Sequence, residues 1–398
     1  MAISSVMPRQ ILMKPLVPEA EDAVVRLTDT LTEASIPEGE PEVFHAVRYG
    51  DTDMIMRQLR AGFDINTTFN GGSYTLTAST MSHRIHTTQY AALHLAVIHS
   101  TYQVLRELLN TEGVDINITD EQRRTPLHFA VVANRRSVIQ LLVELGCNID
   151  VQSSSGRTPL LDAVISDQLD SARMLIDLGA DLNLTDTKGT SPLHHLCFSR
   201  RPHQDFIQLL LSKKCNVNIT NLKGSTPLMF ACSLRNLPTV KLLLQHGANI
   251  NQRDDNGMTA IQFCVGHKTR LSSLLLCLMH NGADINIIDR KGRTLLDMAI
   301  GNMSLTTIVA LLLADVPRDA AIMQQENMLY LFERLPEFRA WISEEVQSPR
   351  SLKRLCRGYI RGQLGPEGLM HVSSFDLPRV LQDFILCRDI DPEDLNVI

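Results

Sequence analysis

The hexapeptide Thr125-Pro126-Leu127-His128-Phe129-Ala130 recurs along the chain in complete, shortened or altered copies. The other copies begin at Ala91, Thr158, Ser191, Thr226, Thr259 and Thr294. Their successive spacings are 34, 33, 33, 35, 33 and 35 residues. A period near 33 residues is typical of a protein built from stacked structural repeats. We therefore expect one continuous array, although the length alone would suggest two or three domains.

The chemistry of the hexapeptide predicts the start of a helix. Thr or Ser caps the first turn, and the following Pro has a preset helical φ and lacks an N–H that the first turn could not use. Leu127 and Ala130 lie three residues apart and face the same side. A second apolar stretch follows, such as Val138–Leu142, and ends at a glycine that can adopt left-handed backbone, here Gly146. The same helix-ending glycine recurs at Gly179, Gly247 and Gly282.

Each unit closes with a second signature, as in Asp115-Ile116-Asn117. Together the two signatures resemble those of the ankyrin repeat family. The resemblance implies an all-α solenoid of about eight helix pairs over residues 41–317, in which turns called fingers join neighbouring repeats. No unit can bury its apolar face alone, so stacking must bury it. The final unit reaches Pro317 without the closing glycine, which is typical of a terminal capping repeat.

Three segments depart from the repeat period. Asn66 and Asn117 are 51 residues apart, and the surplus lies at residues 67–87, a Thr-, Ser- and Gly-rich insertion in the position of a finger. Long loops of this kind are either functional or disordered. Residues 1–40 could contain one amphipathic helix. Residues 318–346 are expected to form a helical spacer with Met328, Leu331, Phe332 and Leu335 on one face.

Residues 351–390 carry two apolar helical stripes on a short segment. The first comprises Leu352, Leu355, Cys356, Tyr359 and Ile360, and the second comprises Leu377, Leu381, Phe384 and Ile385 after Pro378. Segments of about 40 residues rarely bury enough surface to fold alone. We therefore expect another protein to complete this segment, as in an adaptor.

The same segment resembles a SOCS box, a three-helix module expected over residues 347–392. The resemblance implies that the first stripe binds elongin C, and with it elongin B. It implies that Leu377, Pro378, Leu381, Phe384 and Ile385 contact a cullin. The family pattern there is Leu-Pro-apolar-Pro, and this chain has Phe375-Asp376 in place of the first Leu-Pro. The alternative interpretation is an ordinary helical cap on the array.

Composition excludes several other classes. There is no basic segment followed by a continuous apolar run, so no signal peptide is predicted. The longest apolar run, Ile308–Ala314, is too short to span a bilayer. Eight scattered cysteines without metal spacing suggest reduced thiols in a cytosolic or nuclear protein. The net charge of -6 gives no reason to expect nucleic-acid binding.

No catalytic, metal or cofactor site is predicted. His94, His128 and the pair His194-His195 could suggest a metal or a catalytic base, but in ankyrin repeats the motif histidine typically hydrogen-bonds within and between repeats. Cys356 could be a thioester cysteine of a catalytic ubiquitin ligase, but it lies on the apolar stripe with no His or Asp partner near it in sequence. Both patterns therefore favour structural roles.

The fingers carry basic residues that could contact an acidic segment of a target: Arg123, Arg157, Lys188 and Lys223. Their recurrence places them in register along one edge of the solenoid. Acidic residues in the same fingers, such as Asp120, Asp186 and Asp254, dilute the positive field, so a solvated row is the alternative. The insertion at 67–87 is the other candidate recognition site.

The whole pattern resembles the ankyrin repeat and SOCS box family over residues 41–390. The resemblance implies a non-catalytic substrate receptor of a cullin-RING ubiquitin ligase. The array would hold the target, and the box would bind elongin B/C and dock on a cullin, expected to be cullin-5 with its RING subunit. The alternative is an ankyrin scaffold or inhibitor that sequesters a partner without ubiquitination.

Overall fold

The computed structural model describes residues 40–77, 84–99, 102–201, 203–265, 272–302, 304–314, 326–335 and 339. The elements within these ranges are α1 Glu42–Tyr49, α2 Thr52–Arg60, β1 Thr68–Thr77, β2 Arg84–Ala91, α3 Ala92–His99, α4 Tyr102–Leu109, α5 Pro126–Val132, α6 Arg136–Glu144, α7 Pro159–Ile165, α8 Leu169–Asp177, α9 Pro192–Cys197, α10 Gln204–Ser212, α11 Pro227–Ser233, α12 Leu237–Gln245, α13 Ala260–Val265, α14 Ser272–His280, α15 Leu295–Gly301, α16 Leu305–Leu313 and α17 Glu326–Arg334.

The helices form two layers of an elongated stack. The first helices of successive repeats pack against one another, from α1 through α3, α5, α7, α9, α11 and α13 to α15. The second helices form the other layer, as where α6 packs on α8 and α14 on α16. Leucine, isoleucine, valine and alanine side chains from both layers form one continuous buried core. The predicted all-α solenoid of eight helix pairs is confirmed by α1–α16.

The helix ends follow the predicted chemistry. The hydroxyl of Thr158 accepts a hydrogen bond from the Leu161 amide at 3.2 Å, and Pro159 occupies the first helical position. After α6, Gly146 has a φ of +86° and the Cys147 amide returns to the Leu142 carbonyl at 3.0 Å. This left-handed residue reverses the chain and starts the segment that leads to the next finger.

The insertion forms a β-hairpin, which the sequence analysis did not predict. β1 and β2 pair in antiparallel register from Thr68 opposite Ala91 to Thr77 opposite Arg84, with an irregularity between Asn70 and Tyr74. Both strands are rich in Thr, Tyr, Phe and Ile, which favour strands. Their glycine and serine content instead suggested a loop. The hairpin occupies the finger position of the second repeat.

Three aromatic rings anchor the base of the hairpin on the first repeat. The rings of Phe44, Phe69 and Tyr90 lie 5.8–6.1 Å apart, each inclined to its neighbours. The Tyr90 hydroxyl donates to the buried carboxylate of Glu40 at 3.0 Å, and Arg48 donates to the same oxygen at 2.7 Å. The base of the hairpin therefore belongs to the core of the array.

The helix α17 lies in the segment predicted as a spacer. Its residues Met328 and Leu331 are buried, and Leu335 packs against the core. This helix contacts α15, so it continues the first-helix layer at the end of the array. The described residues do not include Pro317, the side chain of Phe332 or the parts of the spacer outside 326–335 and 339.

The hairpin base and its distal part should differ in their contribution to stability. Phe69→Ala removes the contacts with Phe44 and Tyr90, so we expect it to lower the free energy of unfolding by about 1–3 kcal/mol. Replacing residues 71–88 by Asn-Gly joins Asn70 to Gln89, which already face each other, through a two-residue turn. We expect that variant to stay within about 1 kcal/mol of the wild type in urea denaturation. Equal losses in both variants would contradict the anchoring role of the aromatic base.

Candidate functional site

Each finger is a five-residue turn built around the side chain of its first residue. The fingers of repeats three to eight are residues 120–124, 153–157, 186–190, 221–225, 254–258 and 289–293. In the finger of repeat five, Asp186 Oδ1 accepts from the amides of Lys188 at 2.8 Å and Thr190 at 2.9 Å. The same pattern recurs at Asp120, Asn221, Asp254 and Asp289. The first residue thereby satisfies two backbone amides that the tight turn would leave unpaired.

This arrangement changes the expected electrostatics of the fingers. Asp120, Asp254 and Asp289 are buried, with 4%, 8% and 7% of their surfaces exposed. Burial opposes ionisation of Asp186, but hydrogen bonds from the amides of Thr190 and Lys188 outweigh it and hold its pKa below the usual range. These carboxylates form the turn and do not project from it. The ionised Asp186 still carries its negative charge close to Lys188, so the predicted dilution of the positive field stays a prediction.

Neighbouring fingers are hydrogen-bonded to one another at their tips. In the fingers of repeats four to seven, the second residue donates its amide to the carbonyl of the third residue in the preceding finger: Ser154 to Gln122, Thr187 to Ser155, Leu222 to Lys188 and Asp255 to Lys223. Gly189 permits this contact because it has a φ of +73°, and a Cβ there would lie 2.7 Å from the Leu222 nitrogen. The tips therefore form a ladder of fixed spacing.

The motif histidines tie each finger to the helix before it. The Nδ1 atom of His128 accepts from the amide of Thr125 at 3.0 Å, and its Nε2 lies 3.1 Å from the carbonyl of Arg157 in the next finger. His94 bridges to Arg124, and His194 bridges to Ser225 in the same way. The structural role predicted for these histidines is confirmed.

In repeats six to eight, other residue types make one of the two contacts of the motif histidine, the one with the amide of the capping residue. Met229, Gln262 and Asp297 occupy the position of the motif histidine, and each accepts a hydrogen bond from the amide of the capping Thr. Repeat four has Leu161 there, which has no acceptor. The copies that begin at Thr226, Thr259 and Thr294 thus lack the histidine but preserve the acceptor.

The four basic residues predicted to bind a target lie at three different positions of the finger. Lys188 and Lys223 are both third residues and are exposed. Arg123 is a fourth residue and has a φ of +57°, where the other five fingers have glycine. Arg157 is a fifth residue and lies 3.7 Å from Asp162. Only Lys188 and Lys223 are therefore in the predicted register with each other.

Two polar residues follow the motif-histidine position on the first-helix layer; the sequence analysis considered His195 but did not consider Asp162. The position after the motif histidine is apolar in most repeats but holds Asp162 and His195 in repeats four and five. Burial raises the pKa of Asp162, opposed by His128 and Arg157. Burial lowers the pKa of His195, whose Nε2 lies 3.5 Å from Asp186. Each group is therefore paired with a residue of the adjoining finger.

The described residues show no arrangement that suggests catalysis. Within them, no group of three His, Cys, Asp or Glu could hold a metal ion. Burial raises the pKa of the Cys147 and Cys215 thiols to about 11 and that of Cys197 still higher, so these thiols are poor nucleophiles at neutral pH. Among the same residues, no helix is long and apolar enough to cross a membrane.

The predicted elongin and cullin contacts, from Leu352 to Ile385, lie outside the described residues. The family model described as ankyrin repeats (3 copies) matches residues 43–153, 93–186 and 178–254. The family model of the SOCS box matches residues 348–386. The chain belongs to the ankyrin repeat and SOCS box family. The match to the SOCS box covers the residues that carried the resemblance in the sequence, and the match to ankyrin repeats covers most of the described array.

A solved structure supports the fold of the array in this ankyrin repeat and SOCS box protein. The crystal structure of the ankyrin repeat domain of Bcl-3, described as a unique member of the IkappaB protein family, is similar to 55% of this chain and is covered over 96% of its own length. The two share 30% sequence identity with a TM-score of 0.50. The similarity is therefore to the ankyrin part of the chain.

The motif histidine should be replaceable by glutamine but not by alanine. His128→Ala leaves the Thr125 amide and the Arg157 carbonyl without their partner, so we expect a loss of about 2–4 kcal/mol in the free energy of unfolding. His128→Gln should lose less than half as much, because Gln262 accepts the equivalent hydrogen bond at 2.9 Å in repeat seven. Urea denaturation of both variants tests this, and indistinguishable losses would contradict it.

The array should lose stability in mild acid. Burial lowers the pKa of His94 and His194 from 6.5 to about 4. Because the folded-state pKa is lower than the unfolded value, the contribution of each histidine to the free energy of unfolding is complete above pH 6.5. This contribution falls as the pH drops towards 4, by about 1.4 kcal/mol per pH unit for each histidine. Urea denaturation at pH 7.5, 6 and 5 should show the loss, and His194→Gln should make it shallower. A profile unchanged by His194→Gln would refute the assignment.

Proposed function

We propose that this protein is the substrate-recognition subunit of a cullin-RING ubiquitin ligase that contains elongin B/C and cullin-5. The observation that carries the proposal is the presence, on one chain, of an ankyrin array with exposed fingers and a matched SOCS box at residues 348–386. Ankyrin repeats present side chains on a rigid surface, and a SOCS box connects its carrier to a ligase. The chain would thus join a target to the ubiquitination machinery.

The elongin C contact is assigned to the first apolar stripe of the box. Leu352, Cys356 and Ile360 recur every four residues, with Leu355 and Tyr359 beside them, so one helix presents all five side chains on one side. Lys353, Arg354 and Arg357 lie off this stripe and remain available to solvent. A segment this short needs a partner to cover such a stripe.

The cullin contact is assigned to the second half of the box. Leu377 and Pro378 precede a helical stripe formed by Leu381, Phe384 and Ile385. Asp376 stands where the family has a proline, so the chain before Pro378 loses more conformational freedom on binding. We therefore expect this chain to bind cullin-5, with its RING subunit, more weakly than family members with both prolines.

The target contact is assigned to the fingers and the β-hairpin. The hydrogen-bonded ladder of tips holds side chains such as Lys188 and Lys223 at fixed spacing, and the hairpin extends from the equivalent position of repeat two. Binding to a preorganised surface loses little conformational freedom. Arg123 and Arg157 remain candidates at the edge of this surface.

The chain would contribute proximity and not bond-making chemistry. Holding an acceptor lysine near a reactive thioester raises its effective concentration, and the E2 bound by the RING subunit supplies the thioester. The buried thiols of the array and the absence of a partner for Cys356 in the sequence agree with this role. We assign the chain to the cytosol or nucleus from its reduced-cysteine pattern.

The runner-up is a scaffold or inhibitor that holds a partner without ubiquitination. Phe375-Asp376, in place of the usual Leu-Pro, is the specific feature that favours it. The two functions differ in one measurable step. The ligase subunit captures both elongin B/C and cullin-5, whereas the scaffold captures no cullin-5 even when elongin B/C is present.

Removal of two anchors should abolish elongin binding. Leu352→Ala with Cys356→Ala should weaken elongin C binding by about 30- to 1000-fold, the effect of losing about 2–4 kcal/mol from a buried contact. Elongin B/C should no longer co-purify, while urea denaturation of the array is unchanged. Lys353→Ala with Arg357→Ala on the same helix is the matched control and should retain elongin B/C. Persistence of elongin in the Leu352 and Cys356 variant would refute the assigned contact.

A further inference from the structure

Two apolar side chains of adjacent repeats remain exposed on the described surface. Phe198 ends α9 in repeat five with 56% of its surface exposed, and Leu222 in the finger of repeat six has 73% exposed. At the position of Phe198, the other described repeats have smaller residues, such as Ser233 in repeat six and Gly301 in repeat eight. Repeat five thus presents an aromatic ring where its neighbours present little apolar surface.

Phe198 is part of a row of rings along α9. The ring of Phe230 in α11 meets Phe198 edge to face at 5.4 Å and meets His194 at the same distance on its other side. His194 also holds the finger of repeat six through the Ser225 carbonyl. Because His194 and Phe198 are four residues apart, the row extends roughly 6 Å along α9. Phe230 is itself half-buried, so the row presents a supported aromatic surface.

The neighbouring fingertips are basic. Lys188 and Lys223 are equivalent third residues of consecutive fingers, and Leu222 lies between them because its amide donates to the Lys188 carbonyl at 3.0 Å. The carboxylate of Asp186 accepts hydrogen bonds from its own turn. The next tip carries Asp255, so the basic stretch ends at Lys223. An exposed leucine therefore lies between two lysines, on a finger that is hydrogen-bonded to His194 of the aromatic row.

We infer that the first-helix layer of repeats five and six binds an acidic segment of the target that also carries an apolar side chain. We call this surface, formed by Phe198, Phe230, Leu222, Lys188 and Lys223, the repeat-five surface. This inference rests on the proposed function, since it names the kind of target that the array holds. Carboxylates of the segment pair with the two lysines, and its apolar side chain packs on Leu222 or Phe198.

The geometry matches a short extended segment. Three or four residues of extended chain span about 10–13 Å, which exceeds the length of the aromatic row. Apolar burial between aromatic rings supplies affinity, whereas the lysines supply orientation and faster association. A purely acidic segment would leave Phe198 exposed, and a purely apolar one would leave the lysines without partners.

The experiment selects peptides from a displayed library of random dodecapeptides on the full-length chain. We expect the selected peptides to combine Asp or Glu with a leucine or an aromatic residue within about four positions. Phe198→Ser and Leu222→Ser should each weaken their binding by about tenfold or more. Lys188→Glu with Lys223→Glu should weaken binding and reduce its dependence on salt.

Repeat eight supplies matched controls. An exposed apolar residue, Ile288, precedes its finger, and the third finger residue is a lysine, Lys291, but Gly301 replaces the aromatic ring. Ile288→Ser and Lys291→Glu should leave peptide binding unchanged. Selection that yields no peptides, peptides without acidic residues, or peptides bound equally well by the Phe198 and Leu222 variants would overturn the inference.

The outcome is separable from that of the ligase proposal. Phe198→Ser lies in the array, so elongin B/C co-purification should be unaffected by it. If the wild-type chain does not bind elongin B/C, the ligase proposal is refuted and the peptide result is unaffected. Retained elongin and cullin-5 capture with failed peptide selection would refute only the repeat-five surface.

Discussion

The structure depends on a hydrogen-bond acceptor three residues after the cap of the first helix, which is present in six of the seven repeats from two to eight. In repeats two, three and five this acceptor is a histidine, which also reaches the carbonyl of the next finger. A buried amide or carbonyl without a partner is costly, so each bridge holds a helix and the following finger in one relative position. The positions of the fingers of repeats three, four and six therefore depend on a contact from the preceding repeat.

The fingers can expose variable side chains because their own backbone groups are satisfied. The first residue of a finger pairs with two amides of the same turn, and the tips pair with each other. Lys188, Leu222 and Lys223 are exposed second and third residues, and the hydrogen bonds of their turns run through their backbone amides and carbonyls. Their side chains can therefore vary without loss of the turn.

The array and the SOCS box solve different physical problems. The array buries a core of its own over eight repeats and presents a preorganised surface. The matched box is short and its sequence carries two apolar stripes, and a segment of this length rarely buries enough surface to fold alone. A rigid receptor linked to a partner-dependent module suits a subunit that holds a target close to a reaction catalysed elsewhere.

The sequence by itself determined the repeat period, the eight helix pairs, the helix-capping Thr-Pro pairs and the structural histidines. These features are local or periodic, so residue spacing reveals them. Tertiary structure decided what depends on contacts between repeats. Thr68–Ala91 became a hairpin because Phe69 and Tyr90 pack on Phe44, although Gly and Ser suggested a loop. Likewise, the finger aspartates point into their own turns, where they accept hydrogen bonds from backbone amides. Arg123 is the fourth residue of its finger and Lys188 is the third residue of its own, so the two are not in register.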